Sequence, residues 1–314
     1  MPSQTWPESN LKHLAMFLEA FFNSKNRTLM KKYWYAIVVL VSIIPQLQAQ
    51  SGWTRKAKSF YVQSSISHYS SRDYYSTEGT LFNSGSRFNS SALILYGEYG
   101  ITDRLTALVD LPALILNSFS STETVAGVGS LKAGLKYKLF NELPIAIQAD
   151  FEIPTDDGTN FARSKQPNAL GTFDRINLPT SDGEFNVWTT LVGSHSFGQG
   201  KTYASLYTGI NFRTESFSNQ FQAGGEIGHL FFEKLYLIGK LRILEKLSSG
   251  EGNQGGSFLY GEGTTFTSYG FNAIYKTGKH MSLIAAYSDY AGFIVERRNV
   301  YDGPTFSLGI SFEY

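Results

Sequence analysis

The run GVGSLKAGLKYKLF, from Gly127 to Phe140, decides the fold. Leu131, Ala133, Leu135, Tyr137 and Leu139 fall on one side of an extended chain, and Ser130, Lys132, Gly134, Lys136 and Lys138 fall on the other. Successive side chains of a strand point to opposite faces, so this is a strand with one apolar and one strongly cationic face. A soluble core has no use for the second face. A sheet wrapped around a polar interior and set in lipid needs both.

The same period of two recurs along the chain. Ile145, Ile147, Ala149, Phe151 and Ile153 oppose Gln148, Asp150 and Glu152, and Leu235, Leu237, Leu241 and Ile243 oppose Tyr236, Lys240 and Arg242. At the C-terminus Phe306, Leu308, Ile310, Phe312 and Tyr314 oppose Thr305, Ser307, Gly309, Ser311 and Glu313. The pattern predicts strands over 59–70, 89–100, 103–116, 128–140, 143–154, 184–197, 201–214, 220–231, 234–246, 265–277, 279–290 and 304–314. Short turns (Ile101-Thr102, Asn141-Glu142, Gly198-Gln199-Gly200, Phe232-Glu233, Gly278) alternate with longer links. A β-sandwich has no reason to sort every second connection into a short class. A closed antiparallel transmembrane β-barrel of about twelve strands does, with short turns at the periplasmic end, long loops at the extracellular end and both termini periplasmic. Closure requires the last strand to pair with residues of about Ser59 to Ser70, Phe312 outward and Ser311 inward.

The 314 residues are rich in Gly (30), Phe (24) and Tyr (19), a composition that favours sheet. No window holds the eighteen or more apolar residues of a spanning helix, which a barrel does not need because only alternate residues face lipid. A net charge of +1 and the lack of a dense basic run give nucleic acid no electrostatic footprint. With no Cys there is no disulfide, thiolate metal site or lipidated cysteine. Met30, Lys31 and Lys32, an apolar run from Tyr33 to Ile44, Pro45 and the sequence ending at Ala49 form the three regions of a signal peptide over 30–49. Residues 1–29 read as a non-native or discarded extension, and 50–314 as the barrel.

GEYGITDRLTALVDLP, from Gly97 to Pro112, together with GVGSLKAGLKYKLF, resembles the outer-membrane barrels grouped as phenol-degradation-pathway-like transporters. SGWTRK at Ser51 to Lys56, SDGEFN at Ser181 to Asn186 and NFRTESFSNQF at Asn211 to Phe221 resemble the XagA-like branch, a name associated with exopolysaccharide and adhesion loci. The resemblance implies an outer-membrane location, and it assigns no residue roles.

The polar face offers Glu98, Asp110, Lys132, Lys136, Lys138, Gln148, Asp150, Glu152, Glu184, Arg213, Glu226, Lys240 and Arg242 as lumen-facing candidates. They can bias passage of a polar solute or form a salt-bridged interior. Phe306, Leu308, Ile310, Phe312 and Tyr314 form the terminal pattern that outer-membrane insertion machinery reads. A lumen substitution such as Lys136→Ala is expected to be tolerated, and a lipid-face one such as Leu135→Arg is not.

An enzymatic alternative, a membrane esterase, needs a Ser–His pair. Only His195 with Ser194 or Ser196 is adjacent, and strand neighbours point to opposite faces. His68, His229 and His280 sit on different strands and suggest no metal. Asp156, Asp157 and Gly158 with Asp182, Glu184 and Asn186 could ligate Ca²⁺, but Asp-Gly turn chemistry explains them. The expectation is a non-enzymatic pore or transporter for a small solute, without cofactor or bound metal. Its partners would be outer-membrane lipids, the insertion machinery and an unidentified small solute or polysaccharide. A structural or export barrel serving exopolysaccharide secretion or adhesion is the second reading.

Overall fold

The alternation of apolar and polar residues is realised as one continuous antiparallel sheet. The structure is a computed structural model and describes residues 51–247 and 262–314. The signal sequence at 30–49 and the residues before it lie outside those described. The sheet strands in chain order are β1 (Phe60–Tyr75), β2 (Leu81–Thr102), β3 (Leu105–Phe119), β4 (Val125–Gly127), β5 (Leu131–Lys138) and β6 (Ile145–Ile153). β7 (Phe161–Arg163), β8 (Arg175–Asn177), β9 (Asn186–Phe197), β10 (Thr202–Arg213), β11 (Gln220–Phe231) and β12 (Leu235–Lys246) follow. The last four are β13 (Phe266–Lys276), β14 (Met281–Ala291), β15 (Val300–Asp302) and β16 (Thr305–Glu313).

The long strands form a ring of twelve, β1-β2-β3-β5-β6-β9-β10-β11-β12-β13-β14-β16, in which β1 pairs with both β2 and β16. Each of the twelve strands expected from the sequence is present. Closure runs from Tyr61 opposite Glu313 to Tyr69 opposite Thr305, and it places Val62 against Phe312 and Gln63 against Ser311. Phe60 and Tyr314 complete it with reciprocal backbone bonds of 2.8 and 2.9 Å. Each of the twelve ring strands thus has a partner on both sides, as a sheet in hydrocarbon requires.

Short turns gather at one end. Asp103-Arg104 joins β2 to β3 within a hairpin in which Thr102 pairs with Leu105. Phe232 and Glu233 both take left-handed φ, 50° and 60°, in the tight turn between β11 and β12. Those two positive φ values match the right-handed twist of hairpin strands.

The loop end differs from the sequence reading in one respect. The link expected after residue 70 is itself strand, because β1 and β2 pair on to Tyr75 and Leu81, interrupted by a bulge between Ser71 and Asp73. Its polar composition reflects exposure above the barrel rather than an irregular loop. The segment between β6 and β9 folds back on itself through the β7–β8 pair. Gly158 and Gly183 make that fold possible: both have φ near +75°, and a Cβ on Gly183 would lie 2.7 Å from the Asp157 carbonyl.

Large apolar side chains stay exposed on the outer wall, among them Val62, Ile66, Leu95, Leu135, Ile147, Leu191, Leu206, Ile227, Leu237, Phe271, Leu283, Leu308 and Ile310. Many buried strand residues on the opposite face, inside the ring, are polar: Glu98, Thr106, Lys136, Asp150, Thr190, Ser205, Asn211, Gln222, Glu226 and Ser311.

Candidate functional site

β12 shows how the interior is layered. Its inward residues from the turn end to the loop end are Tyr236, Ile238, Lys240, Arg242 and Leu244. Ile238 belongs to an apolar cluster with Tyr203, Ile274 and Ile284, packed by Trp53 and Tyr236. Leu244 belongs to another with Trp188, Phe266 and Val300. Between the two lies a cavity of about 340 Å³ whose lining includes Tyr207, Glu226, Lys240, Arg242, Ser268 and Asn272. Hydroxyls of Ser288, Thr305 and Ser307 complete its wall. A smaller space of about 160 Å³ continues toward Phe266 and Tyr290, again beside Arg242.

The turn end is crossed by a segment of the chain itself. Residues 51–58 leave β1 and reach β9 and β10, which lie on the far side of the ring from β1. Arg55 anchors the near side: its Nε donates to Glu98 Oε2 at 2.6 Å and its Nη1 to Glu313 Oε2 at 2.8 Å. Its guanidinium also stacks 5.0 Å from the Tyr61 ring centre. The Arg55 backbone N–H donates to Thr106 Oγ1, and Ala57 N–H to Asp103 Oδ1. On the far side Trp53 meets Tyr203 edge to face, and the Gly52 N–H donates to Ser194 Oγ at 2.7 Å. Glu98 is the hub of this end, since it also accepts from Tyr96 Oη at 2.6 Å and faces Lys136 Nζ at 4.0 Å.

Farther up, Lys132 meets Glu152 at 3.5 Å, Gln148 donates to Asp150, and Trp188 Nε1 donates to Glu152. Asp110 stands opposite Lys132 in the ladder, and Lys138 opposite the buried Ala146. Lys240 meets Glu226 at 3.5 Å, and Tyr203 donates to the same carboxylate. Glu184 lies two residues ahead of β9 instead of on it, in the loop, where it is buried and accepts from Arg213. Burial pushes the Glu184 carboxyl up to about 7; Arg213 opposes the shift, and Asp182 and Glu152 reinforce it. The candidates thus form several separate clusters, with Arg213 and Glu184 near the loops, Glu98 and Lys136 at the turn end, and Glu226, Lys240 and Arg242 at the cavity.

Lys136 is more deeply held than its sequence position implies: 2% of its side chain is exposed, beside Glu98. Its removal is therefore not expected to be neutral. The sequence reading missed Arg55, Tyr96 and Tyr203 as parts of the interior. Period two carries no signal for Arg55, which stands outside any strand and reaches its partners only once the ring has closed.

His195 is opposite Ala204 and packs on Phe197, whereas Ser194 faces inward and pairs with Ser205 at 2.7 Å, so the two do not share a face. Asp156, Asp157 and Asp182 accept from backbone N–H groups two residues on, as in Asx turns. Among the described residues no group of three or more His, Cys, Asp or Glu is placed to hold a metal ion.

The closed ring is similar to an outer membrane channel from Pseudomonas putida F1, at a TM-score of 0.57 and 15% identity, covering 86% of this chain and 100% of that one. The fold is that of outer-membrane barrels. A second similarity, to the translocator domain of the autotransporter NalP from Neisseria meningitidis, has a TM-score of 0.52 and 11% identity over 83% of this chain and 90% of that domain. No protein-family profile and no curated protein matches the sequence. The two solved structures share an architecture and differ in task, so function has to be argued from the interior.

Proposed function

We propose that the chain is an outer-membrane channel that carries a small polar solute and performs no chemistry on it. The supporting observation is the polar cavity held between two apolar layers inside a closed ring. A barrel serving only as a structural wall gains nothing from keeping Arg242, Ser268, Ser288 and Ser307 around an open volume, because a half-buried charge without an ion-pair partner is costly. The exposed apolar outer wall suits lipid, and the C-terminal strand, which closes the ring, suits recognition by insertion machinery. Export through the segment at 30–49 would place both termini and the short turns in the periplasm, and the β7–β8 region outside the cell.

In this reading residues 51–58 and the loop-end clusters make the path selective and narrow, unlike an open diffusion pore. Liposomes carrying the refolded barrel are expected to swell in isotonic small polar solutes faster than empty ones. Liposomes that remain solute-tight with correctly folded barrel would overturn the proposal.

A further inference from the structure

We infer that the interior cavity is a binding site for a small hydroxylated carboxylate, with Arg242 as the residue that selects its charge; this rests on the channel reading and names the class of solute. Of the three arginines inside the ring, Arg55 and Arg213 are each clamped by carboxylates. Arg242 is different. Its cross-strand neighbours are Gly224 and Ser268, neither of which carries charge. Among the described residues no carboxylate lies within ion-pair distance of it, and its Nε is buried without a hydrogen bond. Its guanidinium lies 5.8 Å from the centre of the Phe266 ring.

Arg242 is half-buried, and its buried Nε has given up water without gaining a hydrogen bond or an ion-pair partner. It lines both the main cavity and the space above it, so an incoming anion can reach it. The planar donor fork matches a carboxylate bidentately. Gly224 contributes by its smallness: a Cβ there would lie 2.4 Å from the Leu241 carbonyl oxygen and 2.5 Å from Tyr207 Oη, so glycine leaves room for that phenol to lie across the strand.

The remaining wall specifies the rest of the ligand. Beside the Lys240–Glu226 ion pair, Tyr207, Ser268, Ser288, Thr305 and Ser307 present hydroxyls and Asn272 an amide, a lining that can both donate to and accept from ligand hydroxyls. A purely apolar acid would leave these groups unpaired. The volume falls at the small end of ordinary ligand pockets, about 300–1,000 Å³, which suits a molecule the size of one sugar ring.

Calorimetric titration of sodium glucuronate into the detergent-refolded full chain is expected to show saturable binding, weakened about tenfold or more by Arg242→Gln and less by Arg242→Lys. Glucose, which replaces the carboxylate by a hydroxymethyl group, is expected not to bind, and benzoate to bind more weakly than glucuronate. Ser288→Leu, which fills the cavity and keeps the arginine, should abolish binding and serves if the Arg242 variants misfold. Absence of glucuronate binding, binding unchanged in Arg242→Gln or in a folded Ser288→Leu variant, or equal binding of glucose would overturn the assignment. Salt conductance measured on the same preparation separates the two readings. Current without glucuronate binding removes this site and leaves the channel, and binding without current does the reverse.

Discussion

Arg55 Nε donates to Glu98 Oε2 at 2.6 Å inside the barrel, although Arg55 belongs to no strand. The bond fixes residues 51–58 across the turn end, and Glu313 on the closing strand shares the same guanidinium. Removing the arginine leaves two buried carboxylates without their shared close cation. Arg55→Ala is therefore expected to destabilise the folded barrel by about 3–5 kcal/mol, the usual consequence of breaking a buried ion pair from one side. Urea unfolding in detergent checks this, and the combined Arg55→Met, Glu98→Gln, Glu313→Gln variant should recover most of the loss. A neutral Arg55→Ala would mean that the segment is not anchored there.

The outer and inner walls should respond oppositely to charge. Leu135 is exposed on the apolar outer wall, and Leu135→Arg is expected to cost about 2–4 kcal/mol near the bilayer midplane. Lys132, whose ion pair with Glu152 is partly exposed, should tolerate Ala with a loss of about 1 kcal/mol or less. Equal costs in a folding titration into lipid vesicles would show that the faces are wrongly assigned.

Loss of the C-terminal strand should be all-or-none. β16 pairs with β1 on one side and β14 on the other, so deleting 309–314 reopens two edges at once. Export should continue while heat-resistant, membrane-inserted barrel disappears. A truncated chain that inserts and resists heat in detergent would contradict ring closure by this strand.

Glu184 gives the loop end a pH dependence of defined sign. Its folded value of about 7 exceeds that of an unfolded Glu, about 4.3, so the folded loop binds more protons between them. That stabilising contribution is fully present below about pH 4.3 and is lost as pH rises through 7. Limited proteolysis of residues 154–185 is expected to be slower at pH 6 than at pH 8, and Glu184→Gln should flatten the difference. Faster cleavage at pH 6 would reverse the assignment.

The ring itself was legible because its determinants are local: each strand carries its own period of two, and the turn residues 198–200 and 232–233 punctuate it, whereas the turn expected at Ile101-Thr102 lies at 103–104 because Thr102 still pairs with Leu105. Lys132, Lys240 and Arg242 could be put on the inner wall from parity alone. What parity cannot supply is which inward residues meet. Arg55 and Glu313 lie 258 positions apart, and their contact exists only because β1 and β16 close the sheet. Lys136 looked like a solvated lumen charge for the same reason, since its partner Glu98 is two strands away. The extended β1–β2 hairpin was read as a loop because its residues above the membrane region no longer alternate with lipid.

Single-channel recording in planar bilayers tests the channel most directly, using the refolded chain beside its Arg55→Ala variant. Discrete current steps in the wild-type protein, larger or longer in Arg55→Ala as residues 51–58 come free of Glu98 and Glu313, are the expected result. A silent bilayer with both proteins, each shown to be inserted and heat-resistant, would contradict the claim that this barrel conducts a solute.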